Sequence, residues 1–350
     1  RRRIKTIKYQ LHNVLDVLER KIGFGMGYDP SMTVAEMAGW ARKVEEKGFD
    51  MVFFSETLQT FRDAVTALTA FAQSTEKILL GFTQIVRLRS PLVLAQTFAT
   101  LDEFSHGRIV VSLGACTNQH MQKHGLPYAD PAETLIEYIK TVKQLLTGEK
   151  ISFEGKHIRL VESGLGFKPI RHSIPIWVAA TSRTGLRIAG KYADGVLLNA
   201  TTSVEYCRNA VKIVRQAAEE IGRDPSQLTV AALVVAAVDD EKRAVDYVRR
   251  EVASKFSPLM VDFAMRPRLK VGEPSVSDEL IQELLRSYRS GGFEKLMQDI
   301  PETVLENLTA VGTPSEVRDR IEKYREAGVE LPIIRPAARE IYDKVLAAVV

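Results

Sequence analysis

The chain has 350 residues, 45% of them hydrophobic and 26% charged, which is enough apolar material to bury a large core and too much for a disordered chain. Its formal net charge of +4 is concentrated at the start, where positions 1–21 carry seven basic residues against Asp16 and Glu19, so the remainder sums to about −1 by subtraction. That near-neutral body argues against a nucleic-acid face, and the longest apolar run, 228–238, is too short to span a bilayer.

Two cysteines, Cys116 and Cys207, are too few for a disulfide framework and fit a reducing, cytoplasmic setting. We read no signal peptide and no low-complexity segment. The basic start at 1–21 is expected to be a solvated arm, followed by one domain over 22–350.

From residue 22 the chain repeats one phrase. A short strand over 22–26 is followed by a helix that opens on the capping-box pattern Thr33-Val34-Ala35-Glu36 and stops at Gly48. A second strand over 51–54 ends at Ser55 and Glu56, and a helix follows over 63–74. The stretch 77–116, KILLGFTQIVRLRSPLVLAQTFATLDEFSHGRIVVSLGAC, is a complete strand–helix–strand unit. Its strands are continuously apolar, as strands buried on both faces are, and Ser90-Pro91 supplies an N-cap with proline at the first helical position. The second of these strands breaks off at Gly114, Ala115 and Cys116, small residues that let a ligand approach the backbone.

A helix over 130–146 and a small hairpin about Glu154-Gly155 come next, the hairpin interrupting the rhythm. The alternation resumes with strands at 175–179, 195–199, 228–238 and 329–334. Helices are predicted over 181–191 and 203–221, and one opens at Thr313-Pro314-Ser315-Glu316. A longer polar, mainly helical insert occupies roughly 239–301, and its Phe256, Met260, Phe263 and Met265 are candidates to cover a substrate. Eight strands separated by helices give an α/β chain of parallel architecture. A doubly wound sheet with a dinucleotide site would carry G-x-G-x-x-G at its first turn. Here the glycines fall on alternate residues, 23, 25 and 27, so a (β/α)8 TIM barrel with insertions is the expected fold.

Three segments, RSPLVLAQTFATLDEFSHGRIVVSLGA, IPIWVAATSRTGLRIAGKYADGVLLNA and VGTPSEVRDRIEKYREAGVELPII, resemble in order those of the bacterial-luciferase-like superfamily of flavin and deazaflavin oxidoreductases. The likeness is greatest to the branch that uses the deazaflavin coenzyme F420, such as methylenetetrahydromethanopterin reductase and related dehydrogenases. It implies a barrel whose C-terminal mouth holds the cofactor. Glu56, at the end of strand two with Ser55, is then the candidate catalytic acid or ring partner, although Thr57 stands where relatives commonly carry a histidine. Thr83 and Gln84 would support the ring, with a non-proline cis peptide expected near them, and Gly114, Ala115 and Cys116 would lie beneath it. Cys116 stands where a glycine is frequent and is better read as a packed thiol than as a nucleophile.

Ala179 and Ala180 lead to Thr181, Ser182 and Arg183 at a helix start, where free N–H groups, hydroxyls and a guanidinium suit a cofactor phosphate. Asn199 closes the next strand, and Arg87, Arg89 and Arg187 are candidates for the same rim. His120 and His124 have i, i+4 spacing but no third ligand, so no metal site is expected. The resemblance implies hydride transfer between F420 and a small organic or pterin-like substrate, in a homodimer or higher homo-oligomer without nucleic-acid or membrane partners. Strand one reads Gly25-Met26 where pterin reductases tend to carry an acid, which weakens transfer of the pterin activity. Two alternatives stand beside this reading. One is an FMN-dependent monooxygenase fed reduced flavin by a partner flavin reductase, the other a cofactor-binding relative without turnover.

Overall fold

Eight parallel strands close into a ring in the computed structural model, which describes residues 21–57, 62–239 and 242–349. The basic arm expected over 1–21 lies outside the described residues, apart from Lys21. β1 (Gly23–Met26), β2 (Met51–Phe54), β3 (Leu79–Ile85) and β4 (Ile109–Gly114) pair in sequence, and β4 pairs β7 (Ile176–Ala180), which pairs β8 (Gly195–Leu198). Closure falls to β9 (Thr229–Val238), all ten of whose residues are buried. Residues 229–232 pair β8, Gly195 opposite Thr229, and residues 231–236 pair β11 (Leu331–Pro336), Leu331 opposite Ala231. β11 returns to β1, with Gly23 opposite Ile333. The expected TIM-type barrel is therefore the observed one.

β5 (Ile151–Glu154) and β6 (Arg159–Ser163) form the separate antiparallel hairpin expected from Glu154-Gly155. One strand is new: β10 (Ala310–Gly312), three residues that extend the ladder along the last residues of β9. It is too short to carry a period of its own, and only the excess length of β9 gives it a partner.

The helices follow their caps. α1 (Val34–Glu46) opens on the Thr33/Glu36 capping box, α2 (Ala64–Ser74) on Asp63, and α3 (Pro91–Phe104) on Ser90. α4 (Asn118–Lys123) is a short helix not expected from the sequence, while α5 (Pro131–Leu146) is capped by Asp130. α6 (Arg183–Tyr192) and α7 (Val204–Glu219) are capped by Ser182 and Ser203. The long insert carries α8 (Lys242–Lys255), α9 (Val261–Leu269) and α10 (Asp278–Asp299), followed by α11 (Glu302–Leu308). α12 (Pro314–Glu326) repeats the capping box with Thr313 and Glu316. An unforeseen last helix, α13 (Tyr342–Val349), packs Tyr342 edge-on against Phe24 and Trp40, with centroids 5.5 and 5.1 Å apart.

The expected cis peptide near Thr83-Gln84 is not found, since no peptide bond among the described residues is cis. Thr83, Gln84 and Ile85 continue the ladder against Ser112, Leu113 and Gly114, a regular pairing that a trans backbone satisfies. The backbone irregularities of this rim lie instead in the loops after β3, β4 and β8, at Arg87, Cys116 and Thr201, whose φ values are 78°, 56° and 64°.

One glycine fixes how the first rim loop leaves the barrel. Gly27 has φ 91°, and an added Cβ would stand 2.3 Å from the Phe54 ring. Gly48 has a similar φ of 82° but open space around it. Gly27→Ala should therefore cost both strain and overpacking, about 2–4 kcal/mol, against about 1 kcal/mol for Gly48→Ala. Urea unfolding of the two variants measures the difference. Equal costs would show that Phe54 moves aside freely.

Candidate active site

All eight strands point their C-terminal ends to one side, where the connecting loops form a rim. Glu56, directly after β2, is drawn inward there, its side chain only 8% exposed. Its Oε1 accepts from Gln84 Nε2 at 2.9 Å and its Oε2 from the Ile85 N–H at 2.8 Å. Arg89 sits 3.6 Å from Oε1, donates to Gln84 Oε1 at 2.6 Å and pairs with Asp63 at 2.8 Å. Thr83 Oγ1 accepts the Glu56 N–H at 2.7 Å. The structure thus joins Glu56, Thr83 and Gln84 into one unit. Burial pushes the Glu56 carboxyl above its ordinary range, with the Ile85 N–H and the Arg89 charge opposing.

Opposite lies a floor of small residues. Gly114 pairs with Ile85, and a Cβ added there would meet only Ala179 Cβ, at 3.9 Å, so the protein leaves room above this strand end. Cys116 turns the chain away with positive φ, a conformation that favours glycine. Burial raises its thiol, so it is no activated nucleophile. Ala179 and Ala180 end β7, and α6 starts three residues later. Ser182 Oγ accepts the Gly185 N–H at 3.2 Å, while the other N–H groups of the first turn have no acceptor within the helix. Gly185 lets that turn press against Ala180, since a Cβ would fall 3.1 Å from the Ala180 methyl. The Arg183 side chain is exposed and makes no ion pair among the described residues. Thr181 is buried and its carbonyl accepts from Tyr206 Oη at 2.9 Å, while Asn199 lies half-buried after β8.

The three other arginines are otherwise engaged. Arg187 forms a two-point pair with Glu220, the residue that ends α7, at 2.8 and 2.6 Å, on the flank of the barrel. Arg89 serves the Glu56 unit, and Arg87 donates to Asn118 Oδ1 at 3.2 Å and to the Pro127 carbonyl. His120 and His124 stack edge to face, 4.8 Å apart, and no group of three or more potential metal ligands occurs among the described residues.

A second charged unit at the rim was not foreseen. Arg335, near the end of β11 and 2% exposed, lies over the Tyr28 ring with its Cζ 4.0 Å from the centroid, and pairs with Glu251 of α8 at 2.8 Å. Lys255 also reaches Glu251, at 2.8 Å, and the Tyr28 hydroxyl bonds Ser55 Oγ. Burial opposes the Glu251 charge, but the Arg335 and Lys255 charges outweigh it and hold the carboxyl at about 2. Burial pushes the Tyr28 phenol up. The insert is fastened a second time by Arg268, which donates to the carbonyls of Ala200 (2.8 Å) and Thr201 (2.6 Å), and by Glu273, which accepts the Ser203 N–H at 3.0 Å. In the sequence, the arginine within the apolar run LPIIRP was the one available signal, because a charge inside a buried strand needs a partner.

Parallel (β/α)8 closure brings a small-residue floor, an anion-suited helix start and a buried carboxylate to the C-terminal mouth, which makes that mouth the candidate site. Residues 21–331 match the luciferase-like monooxygenase family, and the chain belongs to that family. It is 27% identical over 311 residues to a 5,10-methylenetetrahydromethanopterin reductase of Methanolobus tindarius, covering 87% of this chain and 91% of that one. It is 29% identical over 267 residues to an F420-dependent glucose-6-phosphate dehydrogenase of Nakamurella multipartita, covering 71% and 76%. Among solved structures, the coenzyme F420-dependent tetrahydromethanopterin reductase of Methanopyrus kandleri superposes with a TM-score of 0.81 at 25% identity, over 94% of this chain and 97% of that one. No helix among the described residues is long and apolar enough to cross a membrane.

The two rim carboxylates should respond oppositely to pH. Glu251 is held below its ordinary 4.5, so the stability it contributes is present above that value and lost as pH falls toward about 2. Glu251→Gln is expected to cost about 3–5 kcal/mol at pH 7.5 and less at pH 3.5. Glu56 is raised, so its contribution is full below the unfolded value and is lost as pH rises through the folded one. The cost of Glu56→Gln should therefore shrink from pH 3.5 to 7.5. Urea titrations at both pH values read the two slopes; slopes of the same sign would refute this assignment.

Proposed function

We propose that this luciferase-like oxidoreductase uses coenzyme F420 and passes a hydride between it and a small organic substrate. The observation that carries the reading is the start of α6. An exposed, unpaired Arg183 and free first-turn N–H groups stand beside Thr181 and Ser182, after a strand end that faces the open floor at Gly114. These residues fit a cofactor with a planar ring and a phosphate-bearing tail. Thr181, Ser182 and Arg183 would hold the phosphate, and Gly114, Ala115, Cys116, Ala179 and Ala180 would lie under the ring, with Asn199 and Ser55 at its edge. When bound, the deazaflavin supplies two-electron hydride chemistry, because carbon replaces the ring nitrogen through which flavins react with oxygen.

The chain's own residues then have a limited task. They orient the two reactants, exclude water and offer few titratable groups. Glu56 is committed to Gln84, Ile85 and Arg89, so its role is to fix the strand-two and strand-three rim beside the ring. Tyr28 and Ser55 bring a hydrogen-bonded pair of hydroxyls to the adjoining ends of β1 and β2. Thr57 follows Glu56 where an oxygen-activating relative would gain from a histidine, which favours hydride transfer over the FMN-dependent monooxygenase.

Arg183→Ala is expected to weaken F420 about ten- to a hundredfold, as loss of a charged hydrogen bond worth about 1.5–3 kcal/mol should, while the same ring system lacking its phosphate tail is affected little. Calorimetry with both ligands decides it, and equal weakening would remove the anchor from Arg183. Anaerobically, substrate should bleach or restore the deazaflavin absorbance with no oxygen uptake. Oxygen uptake coupled to reduced FMN, without any response to F420, would establish the monooxygenase instead.

A further inference from the structure

A cavity of about 630 Å³ opens between the rim loop after β4 and the insert after β9. Gln119 of α4 lines one side, and Leu259, Met260, Tyr288, Phe293 and the hydroxyls of Ser254 and Ser257 line the other. Gln119 follows Cys116 by three residues, which puts that side of the cavity beside the end of β4. Its volume falls within the range of small-molecule pockets.

The composition of the lining is selective. No residue that lines it carries a charge. Arg250 places its guanidinium on the Phe293 ring, 5.3 Å from the centroid, and does not line the cavity. Leu259 is 60% exposed, a large apolar side chain that the fold itself does not bury. The aromatic wall depends on a specific break. α10 is interrupted at Gly291 and Gly292, the latter with φ 69° and ψ −160°, a conformation essentially restricted to glycine. Tyr288 and Phe293 flank the break, and without it they would continue along one straight helix. Through Glu251–Arg335 and through Arg268 and Glu273, the insert that carries this wall is tied to the barrel rim rather than hanging free.

We propose that this cavity is the substrate pocket and that it takes a neutral, largely apolar molecule of aromatic or alicyclic character, not a phosphorylated or polyanionic one. The proposal rests on the oxidoreductase reading above and adds the substrate class to it. An anionic substrate would need cationic or N–H donors within the pocket to replace its hydration, and the lining offers only the Gln119 amide and the Tyr288 hydroxyl, since Ser254 and Ser257 donate to the carbonyls of Glu251 and Ser254. A neutral carbonyl compound needs one or two such donors and otherwise gains from apolar contact.

The test uses the full chain with and without F420, and the neutral dye Nile red as probe. Wild type should bind Nile red saturably with blue-shifted emission, acetophenone should displace it, and glucose 6-phosphate should not. Leu259→Asp and Phe293→Asp should each weaken the dye at least tenfold, with F420 affinity unchanged within twofold and wild-type thermal melting. Two variants are used because Leu259 is exposed and tolerant of change, whereas Phe293 is half-buried. Unaltered dye affinity in both variants, displacement by glucose 6-phosphate but not by acetophenone, or one-for-one displacement by F420 would each overturn the proposal. Failure of wild type to bind F420, with the dye results as expected, would strike the cofactor reading alone and leave the neutral pocket standing.

Discussion

Everything at the site depends on β9 pairing with two neighbours at once. A parallel sheet with an open edge would expose unpaired N–H and C=O groups, and the ring removes both edges because β9 pairs β8 over residues 229–232 and β11 over 231–236. That double duty requires a strand buried on both faces, hence the uninterrupted TVAALVVAAV. Closure also decides the location of function. It brings the ends of β2, β3, β4, β7 and β8 around one mouth, so residues separated by more than a hundred positions share a rim. The overhang of β9 beyond the ring gives β10 its partner and directs the chain into and out of the helical insert.

The rim then separates two carboxylates by environment. Glu56 is desolvated and hydrogen-bonded with one arginine at 3.6 Å, and its proton is held more tightly than usual. Glu251 stands between Arg335 and Lys255 and is ionised far below the usual range. The first stiffens the barrel's own loops. The second joins the insert to the barrel, because a buried arginine without its counter-charge would be costly and α8 brings that counter-charge. Arg335 also supports the Tyr28 ring, so the strand-one loop, the last strand and the insert share a single electrostatic unit.

Membership in the luciferase-like family is consistent with a site that holds little acid–base machinery. Small residues at strand ends and an anion-suited helix start would suit a reaction in which geometry matters more than proton traffic.

Much of the fold was legible because it rests on local chemistry. The capping boxes at Thr33 and Thr313, the Ser90-Pro91 and Asp130-Pro131 helix starts and the doubly buried strands all act within a few residues, so the pattern of eight parallel strands could be counted along the chain. The start of α6 was legible for the same reason, since a helix N-terminus and its flanking side chains form one continuous segment. What only the tertiary structure decided involves partners distant in sequence. The Glu251–Arg335–Tyr28–Ser55 unit joins four positions from the insert, β11 and the ends of β1 and β2, and no period or motif links them. The engagement of Arg187 with Glu220, the trans backbone at Thr83-Gln84 and the three-residue β10 are likewise settled by neighbours that closure brings into contact. Helix caps and strand periods are written residue by residue, whereas the pairing of a buried charge is determined only when the ring closes and the insert folds over its mouth.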